Sequence, residues 1–79
     1  MQFENGCRTE YGPLILRLQA TSSLNRFTIF VEDPRLRRVF EHATVNTVES
    51  AQKEAVLRAK EYLQSGQEPT PGAPEWRCS

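Results

Sequence analysis

The hydrophobic period of this chain changes once, near residue 47, and the change predicts where a sheet ends and a helix begins. Before it, apolar and polar residues alternate in short runs, which is the period of a half-buried β-strand. After it, apolar residues recur every three or four positions as far as Leu63, which is typical of an amphipathic α-helix. Each element has a single apolar side, so the stable arrangement lays the helix across one face of the sheet.

The first two predicted strands have the clearest alternation. One covers 14–20 and the other covers 26–32, and a loop over 21–25 joins them as an antiparallel hairpin. The residues predicted to face the core alternate along both runs: Leu14, Leu16, Leu18, Phe27, Ile29 and Val31. Asp33-Pro34 then favours a turn, because Asp suits the first turn position and Pro presets φ at the second.

A third strand is predicted over 39–45, and the sequence does not decide which of its two faces points toward the core. In one phase Val39, Ala43 and Val45 face the core, and the outward side chains include Phe40 and His42. The opposite phase buries Phe40 and His42 instead, because a shift of one residue exchanges the two faces of a strand.

The helix is predicted from Val48 to Gln64, with Thr47 as its N-cap and Gly66 as the residue that ends it. Glu49 in the first turn suits the positive end of the helix dipole. The side chains predicted to face the sheet share one side of the helix: Val48, Ala51, Ala55, Val56, Ala59, Tyr62 and Leu63. The small alanines among them would let the helix approach the sheet closely.

These elements divide the chain into an irregular lead-in over 1–12, a β-β-β-α domain over 13–66 and a disordered tail over 67–79. The lead-in is polar, and the tail is rich in proline and has no apolar period. The predicted fold class is therefore α+β, with a three-stranded antiparallel β-sheet packed on one C-terminal α-helix.

Composition narrows the classes of function. Lys plus Arg number 10 and Asp plus Glu number 10, so the formal net charge is zero and any basic patch must be local. Two cysteines, Cys7 and Cys78, are too few for a secreted disulfide scaffold, and reduced thiols are expected. The sequence has neither a membrane-spanning apolar stretch nor the start of a signal peptide, so a cytoplasmic location is expected.

No residue pattern predicts catalysis, a metal, a cofactor or a small-molecule substrate. His42 is the only histidine and has no catalytic partner that the sequence indicates. Cys7, Cys78 and His42 lack the close paired spacings of zinc ligands. Common phosphate-binding and hydrolase motifs are absent as well. The chain is therefore expected not to be an enzyme.

The face of the sheet away from the helix is the predicted binding surface, because one helix can cover only one face. The residues predicted to form it are Ile15, Arg17, Arg26, Thr28, Phe30, Phe40 and His42. Arginines among aromatic and apolar neighbours have the composition of a protein interface. We therefore expect a small interaction module that binds a protein partner, which includes a homodimer.

Nucleic-acid binding is the alternative function for the same face. Arg17 and Arg26 would contact phosphates there. The turn after the second strand adds a basic cluster of Arg35, Arg37 and Arg38 to this alternative. The contrary interpretation is that these arginines balance nearby carboxylates such as Glu32 and keep the sheet soluble.

Overall fold

A computed structural model describes residues 6–21, 26–45 and 47–78. The elements in these ranges are β1 (Gly6–Tyr11), β2 (Leu14–Ala20), β3 (Arg26–Asp33), β4 (Arg38–Val45), α1 (Val48–Ser65) and β5 (Arg77–Cys78). The described strands form one antiparallel sheet in the order β4-β3-β2-β1-β5. The α+β class, the antiparallel sheet and the C-terminal helix are confirmed. The predicted number of three strands is wrong, because β1 and β5 bring the described sheet to five.

β1 occupies the second half of the predicted irregular lead-in, and residues 1–5 lie outside the described residues. Its side chains alternate in the strict period of a strand, with Cys7, Thr9 and Tyr11 buried and Arg8 and Glu10 exposed. The sequence prediction missed β1 because its buried side chains include no aliphatic residue, so the apolar alternation is weak.

Two glycines fix how β1 lies against β2. Gly6 has a φ of +154°, and a Cβ atom there would collide with the carbonyl oxygen of Leu18. Gly12 begins the two-residue turn into β2 with a φ of +58°, a conformation that strongly favours glycine. A side chain at either position would therefore disturb the hairpin of β1 and β2.

The register of β4 decides which of its side chains face α1. Val31 pairs with Phe40 and Ile29 pairs with His42, and directly paired residues project to the same face of a sheet. Phe40 and His42 therefore lie on the helix side, and Glu41 lies on the other side, which we call the open face. The phase that placed Phe40 and His42 on the open face is wrong, because it would have turned Glu41 toward α1.

The core lies between the sheet and α1, which packs on β2 and β3. Its buried apolar residues are Cys7, Tyr11, Leu14, Leu16, Leu18, Phe27, Ile29, Val31, Ala51, Ala55, Ala59 and Leu63. The predicted core is correct for β2, β3 and the buried stripe of α1. Val39 and Ala43 were also predicted to be buried, and both are exposed. The side chain of Val45 lies outside the described residues.

Both predicted capping residues of α1 are confirmed, and the helix ends at Ser65, one residue beyond the predicted end. The Thr47 hydroxyl accepts a hydrogen bond from the Ser50 amide at 3.2 Å, and the Gly66 amide donates to the carbonyl oxygens of Leu63 and Tyr62. These contacts satisfy backbone groups that a helix leaves unpaired at its ends.

Residues 67–78, which we call the strap, differ from the predicted disordered tail. The strap returns from the end of α1 to β1, where β5 pairs with Cys7 and Arg8. Trp76 packs against the core, and Cys78 forms a disulfide with Cys7. The expectation of reduced thiols is therefore wrong for this structure. The prolines exclude a helix, but they permit an extended segment that side chains of β1 hold in place.

Candidate functional site

One row of side chains crosses the open face from one edge of the described sheet to the other. The register pairs Glu41 with Phe30, Phe30 with Arg17, Arg17 with Arg8 and Arg8 with Arg77. We call these five residues the central row. Since Cβ atoms of directly opposed residues are about 4.5–5.5 Å apart, the side chains of the row are neighbours. Positive charge is therefore concentrated on β2, β1 and β5, and the negative end of the row lies on β4.

Arg17 and Phe30 form the centre of this row. The guanidinium carbon of Arg17 lies 4.6 Å from the centroid of the Phe30 ring, which is within the range of a cation–π contact. Both side chains are half-buried. The contact restrains two large side chains on an uncovered surface, so less entropy is lost when a partner binds there.

The arginines of the central row form no ion pair with another described residue, although Glu10 and Glu75 line the same cavity as Arg8 and Arg77. Arg8, Arg17 and Arg77 are adjacent, and none of them belongs to an ion pair between described residues. Like charges directly opposite one another destabilise a sheet. An anionic group placed against these arginines would relieve the repulsion between them.

Two shorter rows lie on either side of the central row. One contains Glu10, Ile15, Glu32 and Val39, and the other contains Gln19, Thr28 and Ala43. Together with the central row they give the open face both signs of charge. Arginines predominate on the side of β1, β2 and β5, and glutamates predominate on the side of β3 and β4.

The structure brings most of the predicted face residues together. Ile15, Arg17, Arg26, Thr28 and Phe30 all lie on the open face. Sequence reasoning missed Arg8 and Arg77, because β1 and β5 were not predicted. The alternation of Arg8 and Glu10 with Cys7, Thr9 and Tyr11 was the one signal that could have placed Arg8 on this face.

The predicted basic cluster in the turn after β3 does not join this face. Arg35 donates from Nε to Asp33 Oδ1 at 3.0 Å and from Nη1 to Glu68 Oε1 at 2.7 Å. Arg37 lies in the turn with a φ of +55°, and Arg38 pairs with Asp33 on the helix side of β4. The three arginines therefore point to different surroundings, and Arg35 already has two carboxylate partners.

Asp33 is the buried member of that network. Arg35 lowers the pKa of Asp33 to about 2, and a hydrogen bond from the Tyr62 hydroxyl to Oδ2, at 2.6 Å, acts in the same direction. Arg35 also lowers the pKa of Glu68. Because Tyr62 belongs to α1 and Glu68 to the strap, the network ties the β3–β4 turn to the end of the helix.

Phe40 and His42 line a shallow groove between β4 and α1, with a volume of about 300 Å³. The Phe40 ring lies 5.4 Å from the ring of Tyr62. Burial lowers the pKa of His42, and Arg58 lowers it further against the opposing effect of Glu54. His42 is therefore predominantly neutral near pH 7. Within the described ranges, no group of three His, Cys, Asp or Glu residues is placed to hold a metal ion.

Comparison of the chain with protein-family models, with curated proteins and with solved structures finds no significant match. Among the residues that the structure describes, no helix is both long enough and apolar enough to cross a membrane.

Proposed function

We propose that this chain is a non-enzymatic interaction module that binds a protein partner through its open face, and that a second copy of the chain fits this face. The observation that carries the proposal is the central row, in which Arg8, Arg17 and Arg77 lie side by side next to Phe30. Aromatic residues and arginines are the types that protein interfaces enrich and that contribute most to their affinity.

The mixture of charges on the open face favours a protein partner. Glu10, Glu32 and Glu41 accompany the arginines there. A polyanion would be repelled by these glutamates, whereas a protein surface can match both signs of charge. The zero net charge of the chain also leaves association between copies unopposed by long-range repulsion.

The order of the strands allows the two ends of the central row to pair opposite charges when two open faces stack. A two-fold axis parallel to the strands, between two stacked sheets, would place β4 of one copy over β5 of the other and β3 over β1. Glu41 would then face Arg77 of the second copy, and Phe30 would face Arg8. Arg17 would lie near the axis, where its own Phe30 ring already holds its guanidinium group.

The solution mass, measured by light scattering from micromolar to millimolar concentration, tests this proposal. We expect a dimer in the wild type and a monomer in Phe30→Lys, since a further cation would lie beside Arg17 and would face Arg8 of the second copy. Leu57→Lys is the matched control, because Leu57 lies on α1 away from the sheet and is 58% exposed. A wild type that is monomeric throughout, or a Phe30→Lys variant that stays dimeric, would contradict the proposal.

A charge exchange provides a second variant that does not alter the aromatic centre. Arg77→Glu should weaken the dimer, because it places a carboxylate against Glu41 of the second copy. The double variant Arg77→Glu, Glu41→Arg should restore the affinity, since the pair is then reversed and attractive. Failure of the double variant to recover affinity would exclude the two-fold arrangement described above.

The contiguous arginines favour a second candidate function, the binding of single-stranded nucleic acid. Phe30 would stack on a base while Arg8, Arg17 and Arg77 contact phosphates. Three such contacts predict that the logarithm of the affinity falls with the logarithm of salt concentration with a slope of about −2. Titration of a labelled oligothymidine and a labelled oligouridine tests this candidate. An absence of any anisotropy change at low salt would rule it out.

A further inference from the structure

We propose that the Cys7–Cys78 disulfide is a site of thiol–disulfide exchange, and that exchange with a small thiol at Cys78 releases the strap from the domain. The inference does not depend on the proposed function of the open face, because it rests on contacts that β1 makes on its helix side, although release of the strap would also remove Arg77 from the central row.

Three successive inward side chains of β1 hold the strap. The Tyr11 hydroxyl donates to the Pro71 carbonyl at 3.3 Å, and the Thr9 hydroxyl donates to the Glu75 carbonyl at 2.8 Å. Cys7 completes the series with its bond to Cys78. The disulfide is the only covalent member of this series, and β5 itself pairs just two residues with β1. This bond therefore fixes the far end of the strap, while the Arg35–Glu68 ion pair and Trp76 hold the rest of it by non-covalent contacts.

The two cysteine residues differ in their exposure to solvent. Cys7 belongs to the core and is 4% exposed, whereas Cys78 is exposed at the edge of the described sheet. We therefore expect an external thiolate to attack Cys78 Sγ in preference to Cys7 Sγ. Attack at Cys78 makes Cys7 the leaving group, so the asymmetry decides which mixed disulfide forms.

Gln52 on α1 is placed to assist the departure of Cys7. Its Nε2 atom donates to Cys7 Sγ at 3.6 Å and to Cys78 Sγ at 3.5 Å. An N–H donor beside a sulfur that becomes a thiolate stabilises the developing negative charge. The half-buried Gln52 thus acts as a positioning and stabilising residue for the exchange, although it forms no bond with the attacking thiol.

The exchange balances as two successive displacements. The thiolate of the small thiol forms a bond to Cys78 Sγ, the Cys7–Cys78 bond breaks, and Cys7 leaves as a thiolate that takes a proton from water. A second molecule of the small thiol then displaces Cys78 from the mixed disulfide. The two protein sulfurs are reduced, and two molecules of the small thiol are oxidised to one small-molecule disulfide.

Opening of the disulfide would change the surface beside β1. Trp76 packs against the core and, together with Pro74, Val56 and Leu57, lines a groove of about 510 Å³ between the strap and α1. Release of the strap would expose Trp76 and uncover the helix side of β1. The strap would be closed where thiols are scarce and open where they are abundant.

The attacked sulfur can be identified with 2-mercaptoethanol as the small thiol. The full chain is treated, quenched in acid and digested after glutamate residues, which separates a Cys7 peptide (residues 5–10) from a Cys78 peptide (residues 76–79). We expect the mixed disulfide on the Cys78 peptide. Its appearance on the Cys7 peptide would overturn the assignment of the exchange site.

The role of Gln52 has its own test. Gln52→Leu should slow the reduction about 2- to 10-fold, the change in rate that corresponds to the loss of one hydrogen bond. Gln64→Leu is the matched control, because Gln64 is an exposed glutamine of the same helix. Equal rates in the wild type and Gln52→Leu would remove Gln52 from the exchange.

Release of the strap can be followed through Trp76, the only tryptophan of the chain. Reduction should shift its fluorescence emission to the red while the far-ultraviolet circular dichroism of the sheet and α1 remains. Cys78→Ser should show the shifted emission without any reductant. An unshifted emission after reduction would mean that the strap stays docked, and simultaneous loss of the circular dichroism signal would mean that the whole domain unfolds; either result overturns the proposed release.

Discussion

At the scale of single residues, Asp33 shows how one buried carboxylate organises three elements. Its side chain is 1% exposed and accepts hydrogen bonds from Arg35 in the turn and from Tyr62 on α1. A buried carboxylate remains ionised only when it is paired and hydrogen-bonded. Glu68 engages the same arginine from the strap. The end of β3, the turn and the end of α1 are thus held by one charged network.

Protonation of Asp33 should account for most of the decrease in the free energy of unfolding at acidic pH. The pKa of Asp33 is about 2 in the folded chain, against an ordinary value of 3.8. Because the folded value is the lower one, the stabilisation is complete above the ordinary value and is lost as the pH falls through about 2. Urea unfolding of the wild type and of Asp33→Asn between pH 2 and pH 5 tests this, and the variant should lose less stability on acidification. Identical acid profiles for the two proteins would contradict the assignment.

At the scale of elements, the buried alanines of α1 set the distance between the helix and the sheet. Ala51, Ala55 and Ala59 recur at intervals of four, and each is 0% exposed. A side chain no larger than a methyl group lets the helix axis approach β2 and β3 closely. Leu63 fills the wider space at the end of the same stripe, where it is also fully buried.

Ala55→Leu should therefore destabilise the chain by about 1–3 kcal/mol, because the added atoms overpack a closed layer. Leu57→Ala on the same helix is the control. Its change should be within about 0.5 kcal/mol, since Leu57 is 58% exposed. Urea denaturation followed by circular dichroism measures both. A larger loss in Leu57→Ala than in Ala55→Leu would show that the buried stripe is assigned to the wrong side of α1.

The elements that the sequence predicted are those with a single strong pattern. β2 and β3 alternate aliphatic with polar residues. α1 has a clear apolar stripe and two capping residues. Each pattern therefore fits only one secondary structure with one buried face. β4 is ambiguous because it is an edge strand, and residues on both of its faces are partly exposed, Val39 at 49% and Phe40 at 39%. β5 was beyond sequence reasoning, because the two residues of this strand are positioned by the disulfide and the fold of β1.

The candidate site was predictable to the same extent as its strands. Arg17 and Phe30 could be assigned to one face because each lies in a strand of unambiguous period. Arg8 and Arg77 could not, because their side chains become neighbours of Arg17 only when the two ends of the chain meet at one edge of the sheet. The row of arginines therefore results from the order in which the strands pair, and no local sequence motif predicts it.

At the scale of the whole molecule, two segments together cover the helix side of the sheet. α1 packs on β2 and β3, and the strap lies beside β1. The strap brings Trp76 against a core that a single helix is too narrow to cover. A chain of 79 residues has a small core, so we expect closure of the strap by a covalent bond to contribute much of its stability.

The disulfide joins residues 71 positions apart, so it restricts almost the entire unfolded chain. In the chain-entropy description a loop of this length contributes about 4 kcal/mol to stability. The total stability expected for a domain of this size is roughly 4–12 kcal/mol. Urea unfolding of the oxidised protein, of the reduced protein and of Cys78→Ser in reductant should therefore show a loss of about 4 kcal/mol in the last two.

Cys78→Ser is the informative variant here, because it removes an exposed sulfur and leaves Cys7 in the core. Agreement between this variant and the reduced wild type would attribute the loss to the missing bond. If reduction costs much less than the expected amount, the reduced folded state must itself gain freedom, as release of the strap provides, because the chain-entropy contribution describes the unfolded chain alone. A reduced protein that keeps its fold would possess the two states that a redox-controlled strap requires, and one that unfolds without urea would contradict it.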